Sequence, residues 1–224
     1  MSKHWTVAVG LAGISDLQLE ARFLWCKDRF AHQLVLVTPD AEWIILQSVE
    51  GTDQEDFPPS PPLQDMSVER RVGSQVALGV GMAGSAMWSL SVEAPTGSGD
   101  LFFEWACRTR GAQLWPKNCY SLLHNDRGAN STPDEVRLCR WRGSDGVPVA
   151  VLLTLEKTPA TLPLGYTIAD QEASMPTNTL LAVNDSTEGS VLRVEGKPAD
   201  RHHETSKSET LRWQYRIALR TGVE

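Results

Sequence analysis

No stretch of the 224-residue chain comes near the eighteen or so uninterrupted apolar residues that a membrane helix requires. No segment sustains the 3.6-residue periodicity of an amphipathic helix either, which disfavours helical bundles and coiled coils. The four cysteines, Cys26, Cys107, Cys119 and Cys139, include no Cys-x2-Cys pair that would hold two ligands on one zinc knuckle. Gly-x-Ser-x-Gly is missing and no serine or cysteine is singled out beside a histidine, so the common nucleophilic hydrolase patterns do not apply. No internal repeat is visible. The opening Met1–Asp16 carries one lysine and a short apolar run broken by glycines, which argues against a secretion signal. The expected compartment is cytoplasmic, with all four cysteines reduced. A net charge of −7 opposes non-specific binding to nucleic acid or to anionic membranes.

What is present is β-forming. The length suits one β-domain able to bury roughly 70% of its extended-chain surface, or two subdomains divided near 125–135; the expectation is a single domain over 1–224. Eight tryptophans, at 5, 25, 43, 88, 105, 115, 141 and 213, are spread along the chain as core anchors of successive strands would be. Leu17, Leu19, Ala21, Phe23 and Trp25 alternate with Gln18, Glu20 and Arg22, the mark of a half-buried strand. Turns at Lys27–Arg29 and Pro39–Asp40 then give an antiparallel meander through Phe30–Val37 and Trp43–Val49. Leu101, Phe103, Trp105 and Cys107 form the apolar face of another strand, Val136–Arg142 and Val149–Glu156 a hairpin, and Leu180–Val183 and Ser190–Glu195 a further one. Residues 111–135 read as an irregular surface connection. In the last strand Leu211, Trp213, Tyr215, Ile217 and Leu219 oppose Arg212, Gln214, Arg216 and Arg220. About eleven or twelve short strands without helix predict an all-β, antiparallel two-sheet sandwich, with a closed barrel as the alternative.

Gly79-x-Gly81-x-x-Gly84 follows a strand, and Asp100 lies where a ribose-binding acid would sit. The next stretch, however, alternates with period two through Trp88-Ser-Leu-Ser-Val92, and Pro95 leaves no room for a helix to meet a pyrophosphate. The segment therefore reads as a central β-hairpin, and no dinucleotide or other cofactor is implied. Pairing large residues with large across it calls for the odd loop Ala83-Gly84-Ser85, which sets Val80 opposite Trp88 and Leu78 opposite Leu90. The other face, Ala77, Gly79, Gly81, Ser89 and Ser91, is then nearly flat, open to close approach by a loop or sheet.

Three constellations could carry chemistry. Cys107, Cys119, His124 and Cys139 are zinc-type ligands, but their wide spacing favours small buried residues, and no metal site is assigned. His202-His203-Glu204 lacks the i, i+4 spacing of a zincin and reads as a solvated loop; His32, on a strand, reads as structural. The third is a pair of surfaces of opposite sign. Asp53, Glu55, Asp56 and Phe57 stand beside four prolines in residues 58–62, a stiff loop able to bind a hard cation or to dock on an aromatic groove. Arg212, Arg216 and Arg220 form a row at about 13 Å per step, suited to an anion or acidic partner, or else to guarding a sheet edge.

These features point to a soluble, non-enzymatic binding or self-assembly module whose candidate contacts are those seven residues and whose partner is a protein or a second copy. The alternative is a carbohydrate hydrolase with a carboxylate pair from separate strands, such as those carrying Glu93 and Glu104.

Overall fold

The computed structural model describes residues 4–11, 14–51, 58–110, 117–123, 135–142, 147–156, 177–186, 189–198 and 208–221. The chain is an all-β sandwich of two open, antiparallel, seven-stranded sheets. Sheet A comprises β1 (His4–Leu11), β2 (Ile14–Cys26), β3 (Arg29–Val37), β4 (Glu42–Ser48), β9 (Lys117–Leu122), β13 (Gly189–Pro198) and β12 (Thr177–Ser186), in that spatial order. Sheet B runs β10 (Glu135–Arg142), β11 (Pro148–Glu156), β14 (Ser208–Thr221), β8 (Asp100–Arg110), β7 (Ala86–Pro95), β6 (Ser74–Ala83) and β5 (Asp65–Arg71). Among the described residues the strands number fourteen, more than the eleven or twelve expected, and neither sheet closes on itself.

The period-two pattern delivers the two inner faces. On sheet A one row crosses the strands from Trp5 through Phe23 to His32, and continues at Ser48, Tyr120, Leu192 and Val183. On sheet B the facing row is Met66, Gly79, Leu90, Trp105 and Trp213. Trp105 and Trp213 stack at 6.2 Å between ring centroids, Trp88 meets Trp213 edge-on, and Phe103 stacks on Tyr215 at 4.9 Å. These offset and edge contacts contribute on the order of 1 kcal/mol each beyond the area they bury. Three tryptophans thus anchor the core as expected. Trp5, Trp25 and Trp43 keep partial exposure near the ends of their strands, and Trp115 lies outside the described residues.

β9 falls within the stretch read from sequence as irregular. Its inward residues Asn118, Tyr120 and Leu122 alternate with Lys117, Cys119 and Ser121, but six residues containing an asparagine and a cysteine carry little β-propensity of their own. Tertiary pairing with β4 on one side and β13 on the other overrides that weakness.

The hairpin of β6 and β7 also departs from expectation. Its turn has two residues, Gly84 and Ser85, with Gly84 at φ 55°, so Ala83 pairs with Ala86 and the register moves by one. Gly81 then faces Trp88, Gly79 faces Leu90 and Ala77 faces Val92, while Val80 and Met82 turn outward, each 52% exposed. The small residues share the core face with the large ones because a third layer lies on them. The segment 58–64 leaves β4 and tucks between the sheets, with Pro58, Pro61, Pro62 and Leu63 buried and Ser60 fully enclosed. A Cβ at position 81 would stand 1.7 Å from the Pro62 carbonyl oxygen, and one at 79 would stand 2.5 Å from the Met66 sulfur. The close approach expected of the glycine face is real, and its occupant is the proline segment.

That segment is held by Phe30 N–H donating to Leu63 O at 2.7 Å, Gln64 N–H to Val80 O at 2.8 Å and Ser60 Oγ to Cys119 O at 2.8 Å. Leu63 occupies the place beside Phe30 that β4 leaves open on ending at Ser48. Prolines suit a buried crossing because each removes one N–H that would otherwise need a partner. Buried as they are, Pro58, Pro61 and Pro62 cannot present a proline-rich ligand to an aromatic groove.

Gly81→Ala is expected to destabilise the fold by about 2 kcal/mol or more through overpacking against backbone. Gly10→Ala, whose Cβ would find its nearest neighbour at 3.7 Å, should cost well under half as much. Urea unfolding midpoints of the two variants compare them directly; equal midpoints would contradict the packing described.

Candidate functional site

Two places gather chemistry: the interior between β9 and β14, and the outer face of sheet B. In the interior, Tyr120 of sheet A and Tyr215 of sheet B share a short hydroxyl-to-hydroxyl hydrogen bond. His32 Nε2 lies 3.0 Å from the Tyr120 hydroxyl, and the Trp105 indole N–H donates to Tyr215 at 3.2 Å. Beside them the Trp213 indole N–H donates to Asn118 Oδ1 at 2.8 Å. The His32 backbone N–H donates to Ser48 Oγ, which in turn donates to Glu50.

Burial sets the charge of this cluster. It holds the His32 imidazole down to about 3 and pushes both tyrosine hydroxyls above the usual phenol range. Burial also raises the Glu50 carboxyl, against the opposing hydrogen bond from Ser48. At neutral pH His32, Tyr120 and Tyr215 are therefore uncharged, and their hydrogen bonds join the two sheets without burying an ion. A cavity of about 10 Å³ lies against His32, Phe23, Leu46, Phe103 and Ile217, room for about one water. Nothing of substrate size reaches these groups through it, so the cluster is a polar staple across the core. His32 lies on β3, as its sequence position implied, with its ring buried against Tyr120. The strand pattern placed Tyr215 inward, whereas Tyr120 and Asn118 went unnoticed in a segment read as irregular.

On the outer face of sheet B, Arg212, Arg216 and Arg220 do form one row. β14 lies between β11 and β8, so the row stands inside the sheet and does not guard an edge. Arg220 donates to Asp100 at 2.6 Å and Arg212 approaches Glu104 at 3.6 Å, both carboxylates on β8. Along the same face Phe102 is 36% exposed, and Val80, Met82 and Met87 are each more than half exposed. Arginines, two methionines and one aromatic side chain, Phe102, thus share the outer face of this sheet.

Compared with known proteins, the chain matches no family model and no curated protein.

The other candidates fall apart or fall outside. Asp53, Glu55, Asp56 and Phe57 lie outside the described residues, as do His124, His202, His203 and Glu204. Cys107 points into the core from sheet B, and burial pushes its thiol up to about 12. Cys119 alternates with the inward Asn118 and Tyr120 of sheet A, so those two thiols do not converge. Among the described residues no three of His, Cys, Asp and Glu gather as ligands, and no helix is long and apolar enough to cross a membrane. Glu93 and Glu104 come from adjacent strands and sit diagonally on the outer face of sheet B.

The buried imidazole sets a pH dependence. With a folded value near 3 against 6.5 unfolded, the unfolded state binds the extra proton between those limits, so stability is complete above pH 6.5 and falls as pH drops toward 3. Between pH 7.5 and 5.0 this one group should remove about 2 kcal/mol. His32→Phe should flatten the difference in urea unfolding free energy between those two pH values by about that amount. An unchanged difference would show that the imidazole is not held neutral.

Proposed function

We propose that this protein is a non-enzymatic binding module that engages a protein partner through the outer face of sheet B. The observation that carries the reading is the position of β14 inside that sheet, which sets the half-buried Arg212 and Arg216 on its outer face beside the exposed Phe102. Arginine suits such a site because its planar fork pairs with carboxylates while its stem packs on apolar surface. Met82 and Met87, directly paired across the β6–β7 hairpin, add adaptable apolar contact at the end of the same face. The outward turn of the apolar groups at 80 and 82 has a physical reason, since Gly79 and Gly81 between them are required inside.

A photo-reactive residue substituted at Met87 or Val80 tests this reading in cells that make the protein. Cross-links to protein are expected from both positions and not from Gln18, which is exposed on sheet A. They should weaken when Arg212→Glu and Arg216→Glu are combined. Cross-linking confined to Gln18, or absent from all three positions, would remove sheet B as the contact face.

A further inference from the structure

Counting donors and acceptors assigns the hydrogens of the core staple. The Trp105 indole nitrogen can only donate, so its 3.2 Å contact makes the Tyr215 oxygen the acceptor. Two contacts remain to be filled, the one between the Tyr215 and Tyr120 hydroxyls and the 3.0 Å one between Tyr120 and His32 Nε2. The neutral imidazole brings a single hydrogen to them, on one nitrogen or the other.

If Nε2 carried that hydrogen, it would donate to Tyr120. Whichever way the two hydroxyls then shared their bond, one hydroxyl hydrogen and the Nδ1 lone pair would be left over. If Nδ1 carries it, Tyr215 donates to Tyr120 and Tyr120 donates to Nε2, so that each hydroxyl gives one hydrogen and receives one. Only the hydrogen on Nδ1 is then left over. A polar group orphaned in a dry core carries a desolvation penalty, which favours the direction that leaves one group over the direction that leaves two.

That one group has a place to go. Nδ1 is enclosed, on a residue 3% exposed, and has no partner in the protein. The cavity of about 10 Å³ lies against this ring, with a wall that is apolar except for His32, Gln33 and Tyr120. Its volume admits one water and excludes anything larger. Gln33 and Tyr120 each carry an oxygen able to accept a hydrogen from such a water.

We propose that this cavity is a binding site for a single structural water, which accepts the His32 Nδ1–H, and that the hydrogen bonds run in one direction from Trp105 through Tyr215 and Tyr120 to His32 and on to that water. With one nitrogen carrying a hydrogen and the other accepting from Tyr120, His32 has no lone pair left for a metal ion.

Nuclear magnetic resonance on the full chain, labelled with nitrogen-15, tests both halves. At neutral pH, long-range correlations from the His32 ring protons should show a protonated, pyrrole-type nitrogen at Nδ1 and a bare, pyridine-type one at Nε2. The Nδ1 proton should exchange slowly and cross-relax with water, with the sign given by a molecule that tumbles with the protein. Ala21→Val adds two methyl carbons at the cavity wall and should abolish that cross-relaxation without changing the tautomer, circular dichroism showing that the variant is folded. A hydrogen on Nε2 in the wild type overturns the direction of the chain. An Nδ1 proton that does not cross-relax with water overturns the site, as does cross-relaxation undiminished in Ala21→Val. The wild-type spectra decide both halves even if that variant does not fold.

Discussion

No side chain fits at position 81. The backbone of Pro62 passes so close to Gly81 that even a methyl group would overlap its carbonyl oxygen, and at Gly79 the side chains of Met66 and Leu63 take up the neighbouring space. From this contact the register of β6 follows, since its small residues must face inward. The two-residue turn at Gly84–Ser85 delivers that register, and Val80 and Met82 are left to solvent. The packing that completes the core thus also creates the apolar part of the outer face.

The second constraint is polar. A sandwich gains most of its stability from apolar contact between its sheets, which is non-directional and leaves their relative position loosely specified. Tyr120 with Tyr215, and Asn118 with Trp213, add directional bonds from β9 to β14, each near the middle of its sheet. Leaving such groups unpaired would cost about 1–3 kcal/mol apiece, so a slipped arrangement of the sheets is penalised well beyond its lost packing. Neutrality makes the staple affordable, and neutrality comes from burial itself.

Several of these features were legible in the residues. Alternation in Leu17–Trp25, Leu101–Arg108 and Leu211–Arg220 gave the strand faces correctly, because one side of each meets the core and the other does not. The arginine row was visible for the same reason. Its meaning was not, since a row on an edge strand repels neighbours and the same row inside a sheet furnishes a surface. β9 was missed because six mixed residues reveal alternation only when their partners are known. The proline segment reads as exposed from sequence because polar and proline-rich stretches usually are. Here its missing donors are what permit burial.

The sequence by itself determined the class of fold and the inward and outward faces of the longer strands, since these depend on local periodicity and turn chemistry. Strand order, the register of the central hairpin, the burial of the proline segment and the meeting of Tyr120 with Tyr215 were decided only in three dimensions. Each depends on which distant residues compete for the same volume or for the same hydrogen bond, and that competition has no local signature in the chain.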